Sequence, residues 1–204
     1  MGKFYNGILG TMTGKVGGVV GRTWKGINTV SAYQPNVSNP RTNAQLTQRM
    51  KLTGLTRLAS VLNSGIIKPL WDKDAKKMSG FNAWIQANMP NVDSSGSIGF
   101  PDLIMSKGKM TATPVSGLSV EADNVDIEFL TSIGDAFQLP SDRVFVVAVA
   151  DDGEEVFLSS GLAERSNGVV RLSIPRAKQG NLHYYLSFRR ADGSLVSDSS
   201  YYSV

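Results

Sequence analysis

Eight of the first 26 residues are glycine, and no aspartate or glutamate occurs before Asp72. Glycine at that density disfavours a stable helix; it suits tight turns, bulges and close approach of one backbone to another. Between the glycines, Val16, Val19, Val20, Trp24, Ile27 and Val30 carry strand-forming side chains, and Lys25-Gly26 stands where a two-residue hairpin turn fits. The opening 37 residues therefore read as a basic, glycine-rich arm followed by a β-hairpin, residues 16–23 against 27–33. Such a segment buries too little to offset its own ordering entropy, so its order is expected to come from a neighbour.

A second zone, residues 38–104, reads as a helical anchoring region and linker. Ser38-Asn39-Pro40-Arg41-Thr42 is a helix-start signal, because Ser or Asn caps free amides and Pro is tolerated in the first turn. Leu52, Leu55, Leu58, Ala59 and Leu62 recur at three- and four-residue spacing on one face; Gln45, Gln48, Arg49, Thr53 and Arg57 fall on the other. Gly65 and Pro69 are expected to interrupt this helix. A second helix over 80–89 presents Phe81, Trp84 and Ile85, making a helical hairpin through the lysine-rich loop of Lys73, Lys76 and Lys77. Residues 90–101 read as a linker.

From about Met105 the period changes to two. Residues 125–130 alternate as a half-buried strand does, and the apolar run 144–150 reads as a central strand buried on both faces. Turns are expected at Asp151-Asp152-Gly153-Glu154 and Asp192-Gly193. Seven to eight strands over 105–204 predict an immunoglobulin-like β-sandwich without a disulfide. The fold class is thus α+β: a glycine-rich arm and hairpin, a helical hairpin, then the sandwich.

Charge divides along the same line. Residues 1–110 hold 14 Lys or Arg against 4 Asp or Glu, a net of +10; residues 111–204 hold 7 against 13, a net of −6. Segregation of this kind points to an anionic partner or a head-to-tail contact between copies. Lys3, Lys15, Arg22, Trp24, Lys25, Arg41, Arg49, Lys51 and Arg57 are the candidate assembly and anion-contact residues.

Catalytic patterns fail one by one. The chain has no cysteine and a single histidine, His183, which removes thiolate chemistry, cysteine-ligated metals and a His-rich centre. Gly14-Lys15 is followed by Val16 rather than Ser or Thr, and Leu9 stands where a phosphate-binding loop needs its first glycine. Gly14 to Gly21 does not match the dinucleotide fingerprint, and Ser159-Ser160-Gly161 is not a nucleophile elbow. His183 lies beside Tyr184 and Tyr185 in a strand pattern, where a structural role is expected. The acids at 151–155 read as a solvated turn. No catalytic, cofactor or metal residue is assigned, and no small-molecule substrate is expected. The longest apolar run, 144–150, is far short of the roughly 20 residues of a membrane-spanning helix. A secretory leader pattern is not seen, so a reducing, cytoplasmic site of synthesis is expected.

Nucleic-acid binding is the second reading. Phe4, Tyr5, Trp24 and Tyr33 interleave with lysine and arginine as on a single-strand platform, although no recognition-helix or zinc-finger pattern is present. Against it stands the expectation that Trp24 and Tyr33 pack on the helices while the bases line a protein interface.

Gly7-Ile8-Leu9-Gly10, Gly14-Lys15-Val16-Gly17, Trp24-Lys25-Gly26 and Ser38-Asn39-Pro40-Arg41-Thr42, with Gln45 and Arg49, resemble a structural-type protein family of Bacteroidota and their phages. The likeness also takes in Phe81-Asn82 and the closing run from Ser187 to Tyr202. Its Asn-Pro-Arg-Thr segment is similar to the openings of structural proteins in other tailed phages. The resemblance implies a non-enzymatic virion protein, capsid-associated or part of the portal, head–tail connector or tail. It would be made in the host cytoplasm and would assemble with copies of itself and other virion proteins. DNA packaged in the particle and a bacterial surface or adhesion role are the alternatives.

Overall fold

A computed structural model of the chain describes residues 10–203 and the backbone of Gly2 and Lys3. Phe4, Tyr5 and the Lys3 side chain lie outside the described residues. The architecture is mixed α+β, with three sheets whose strands pair antiparallel.

The first sheet combines β1 (Gly2–Lys3), β2 (Gly14–Val16), β3 (Val19–Trp24) and β4 (Ile27–Ala32) in the order β1-β4-β3-β2. The expected hairpin is present, with Lys25 and Gly26 both at positive φ (44° and 77°) in its turn. That pair of left-handed residues matches the twist of the flanking strands. The expected arm and hairpin differ from the structure in one respect. Gly17 turns the chain at φ 57°, so Val16 belongs to a separate strand, β2, and the arm is itself part of the sheet.

The helical zone begins with α1 (Asn43–Leu62), capped by Thr42 rather than Ser38 or Asn39. The Thr42 hydroxyl accepts from the Gln45 amide, and the Gln45 side chain accepts from the Thr42 amide, a reciprocal capping box. Gly65 and Pro69 do not stop the helix. The chain continues through a π turn, Asn63–Ile67, into α2 (Lys68–Trp71), where Pro69 sits in the first turn and needs no amide partner. The second helix, α3 (Gly80–Asn88), is capped by Ser79 and packs against α1 and α2.

Residues 90–101 are not a linker. Val92 and Phe100 are buried in the same cluster as Leu55, Leu58, Ile67 and Trp84. The buried Asn88 side chain donates to Ile104 O at 3.0 Å and accepts from Ile104 N at 2.7 Å, while Tyr185 Oη donates to Phe100 O. A stretch rich in glycine and serine is thus pinned by α3 on one side and a sheet on the other.

The remaining strands are β5 (Val115–Glu121), β6 (Asn124–Phe129), β7 (Arg143–Ala150), β8 (Val156–Glu164), β9 (Val169–Ser173), β10 (Leu182–Arg189) and β11 (Ser200–Ser203). They form two sheets, β5-β6-β9 and β11-β10-β7-β8. After the Asp192-Gly193 turn, Val196 makes an isolated bridge to Arg189. The period-two pattern decides how the layers stack. Val144, Val146 and Ala148 of β7, with Tyr184, Leu186 and Phe188 of β10, face Val125, Ile127, Val170 and Leu172 of the smaller sheet. Phe145, Val147, Val149 and Tyr185 point the other way, onto the helices. The four-stranded sheet is therefore a middle layer, which is why 144–149 is continuously buried.

Candidate assembly surface

The register of the first sheet sorts its side chains onto two faces. Lys15 stands opposite Val20, Val20 opposite Ser31, Arg22 opposite Thr29 and Trp24 opposite Ile27. Alternation then puts Lys15, Val20, Arg22, Trp24, Ile27 and Tyr33 on one face. The Lys15 ammonium lies 3.4 Å from the centroid of the Tyr33 ring, a cation–π contact across that face. Lys3 pairs in register with Thr29, the same position that Arg22 opposes from the other side.

The opposite face carries Val16, Val19, Gly21 and Val30. Gly21 is essential there, because a Cβ would fall 2.3 Å from the Met12 carbonyl oxygen. Met12, just before β2, thus covers part of that face, while Lys15, Arg22 and Trp24 on the basic face are exposed.

Neither face is packed into the interior. Among the described residues the buried apolar core begins at Leu55. Trp24 is 50% exposed and Tyr33 45%, so the expectation that both pack on the helices is corrected. Val16, Val19, Val37, Leu46, Met50 and Leu52 are exposed as well, each by more than a third. The valines are strand formers by type and Leu52 falls on the apolar helix face by spacing, and neither local signal registers this exposure.

The nine candidate residues do not form one cluster. Lys15, Arg22 and Trp24 share the sheet face. Lys25, in the turn, donates to Met78 O and ties the sheet to the loop after α2. Arg41 is exposed ahead of α1. Arg49 donates to Asn39 Oδ1, Lys51 to Val92 O at 2.6 Å, and Arg57 pairs with Glu154 at 3.0 Å. These last three brace the molecule against itself.

The acidic counterpart lies on the outer face of β5-β6-β9. With Val125, Ile127 and Phe129 turned inward, Asn124, Asp126 and Glu128 point outward beside Glu121. Arg171 on β9 pairs with Asp126 and, at 3.5 Å, with Glu121. That guanidinium holds the Asp126 carboxyl below the usual carboxylate range. Glu128 forms no ion pair among the described residues. The alternation of residues 125–130 was visible in the sequence; its charged face was the overlooked half of the same signal.

His183 joins four parts of the fold. Its Nε2 lies 2.7 Å from Asp151 Oδ1, its Nδ1 2.8 Å from Tyr201 Oη, and its ring stacks on Phe100 at 4.5 Å. Among the described residues no three His, Asp or Glu side chains lie close enough together to hold a metal ion. No helix among them is long and apolar enough to cross a membrane.

No curated protein and no solved structure matches the chain. A family model described as a family of unknown function, DUF6266, matches residues 11–203, nearly the whole length and including β2 to β4 of the first sheet. The chain belongs to the DUF6266 family.

Proposed function

We propose that the protein is a non-enzymatic structural component of a phage particle and assembles through its basic N-terminal half. One observation carries the reading: a four-stranded, acid-free sheet with exposed valines, Trp24 and Tyr33 stands outside a core that is closed without it. A sheet so sparsely packed needs another surface for its stability. An exposed apolar patch edged with charge is what protein–protein contact sites present. The order β5-β6-β9 facing β11-β10-β7-β8 supports reading 105–204 as an immunoglobulin-like sandwich, with residues 1–37 as the assembling arm and 38–104 as its anchor. Placement in a virion, and in Bacteroidota phages, rests on the likeness of the 7–10, 14–17, 24–26 and 38–42 segments.

Deletion of residues 2–35 tests it. The shortened chain should fold yet be missing from purified particles by mass spectrometry. Particles that hold it at normal copy number would refute the reading.

A second reading has its own observation. Lys15, Arg22, Trp24 and Tyr33 on one open face form a basic, aromatic platform suited to a nucleic-acid strand. It requires DNA binding that weakens steeply between about 50 and 200 mM salt. Absence of binding at low salt removes it.

A further inference from the structure

We propose that the basic face of the β1–β4 sheet in one copy docks on the acidic outer face of the β5-β6-β9 sheet in a second copy. The inference rests on the assembly reading above and names the partner surface for it.

The two faces are complementary in charge. Lys15 and Arg22 project from a segment in which no acid occurs before Asp72. Opposite them would stand Glu121, Asp126 and Glu128, with Arg171 as the counter-charge in reach. Arg171 is already engaged by Asp126 and Glu121, and Glu128 is free of ion pairs among the described residues, so the face remains net negative. Both surfaces are sheet faces exposed to solvent, and the docked sheet would cover Trp24, Ile27 and Tyr33. Opposed sheets of this kind pack at about 10 Å with side chains interleaved.

The geometry also sets the symmetry. The contact joins two different surfaces, so it is heterologous, and each copy keeps one free face of either sign. Repetition closes a ring or extends a filament rather than stopping at a dimer. Charge pairs at an interface rim govern association rate and salt dependence, so assembly should weaken as ionic strength rises.

A charge swap on the full-length chain tests the proposal. One variant carries Lys15→Glu and Arg22→Glu, the other Glu121→Lys and Glu128→Lys. By sedimentation velocity at low salt, the native chain should associate with increasing concentration, and each variant alone should do so at least about tenfold more weakly. An equimolar mixture of the two should regain assembly, because each reversed face then meets an opposite one. Recovery in the mixture also shows that both variants are folded. If the lysine pair misfolds, Glu121→Gln with Glu128→Gln should still weaken association without adding repulsion toward Arg171.

A native chain that stays monomeric, a variant that associates like the native one, or a mixture that remains silent would overturn the contact. So would loss of double-stranded DNA binding in the Lys15/Arg22 variant with self-association unchanged, which would assign the face to nucleic acid. Particles that exclude the 2–35 deletion but take up both charge variants normally would remove this contact and leave the assembly reading standing.

Discussion

At Arg165 a guanidinium is 1% exposed and lies 3.7 Å over the Phe188 ring. Burial penalises its charge, and the partners it does have become decisive. Its Nε donates to Asp142 Oδ2 at 3.2 Å and its Nη1 to Thr113 Oγ1 at 2.9 Å; Asp142 Oδ2 also accepts from the Leu139 amide. Nothing in the sequence announced this, because Asp142 and Arg165 stand next to turns 23 residues apart and look solvated. Asp142→Asn keeps an oxygen for the Leu139 amide and removes the charge. It should cost about 3–5 kcal/mol in chemical denaturation, the range for breaking one side of a buried pair. Arg165→Met should be comparably severe. The double variant should lose clearly less than the sum of the two, and strict additivity would show that the ion pair is not coupled.

At the scale of elements, α1 shows what was legible and what was not. Its start and its apolar spacing could be read directly from residues 38–62, but the cap moved to Thr42 because Gln45, three residues on, completes the box. Gly65 and Pro69 look like breakers to local rules. The π turn absorbs them since it places Ile66 and Ile67 in the core and brings Gly65 against Leu158 of β8. Only tertiary contact reveals that. The first half of α1, ahead of Leu55, adds no buried side chain to the core, so its order depends on the cap and on the Arg49 and Lys51 ties. Thr42→Ala should therefore act locally. Hydrogen exchange of amides 45–50 should accelerate several-fold, in line with a cap worth about 1 kcal/mol, while Leu58 to Leu62 stay protected. Uniform acceleration along the helix would mean that its two halves unfold together.

Over the whole molecule, the opposite charges of the two halves were plain in the sequence, but their meaning depended on folding. Part of the basic excess is spent inside the chain, as Arg57 on Glu154 and Lys73 on Gly193 O. Among the charges left exposed are Lys15 and Arg22 on the first sheet and Glu121 and Glu128 on the outer face of β5-β6-β9. Local composition misjudged residues 90–101 for the opposite reason: Val92 and Phe100 are too widely spaced to show a period, yet they meet α1 and β10 in space. The two outcomes imply different stabilities. The helices and the middle sheet share one buried cluster from Leu55 to Val196, joined by Phe145, Val147 and Tyr185, and the other face of that sheet shares a second with β5-β6-β9. The β1–β4 sheet adds no buried apolar side chain among the described residues. A chain of residues 38–204 should therefore unfold cooperatively with a thermal midpoint within about 4 °C of the full protein, equivalent to about 1 kcal/mol at this size. Its near-ultraviolet dichroism should keep the contributions of Trp71 and Trp84, which lie in or against the retained core. A much larger fall in midpoint would show that the open sheet stabilises the isolated subunit. A midpoint that holds would leave its β1–β4 contacts to be made in the assembly.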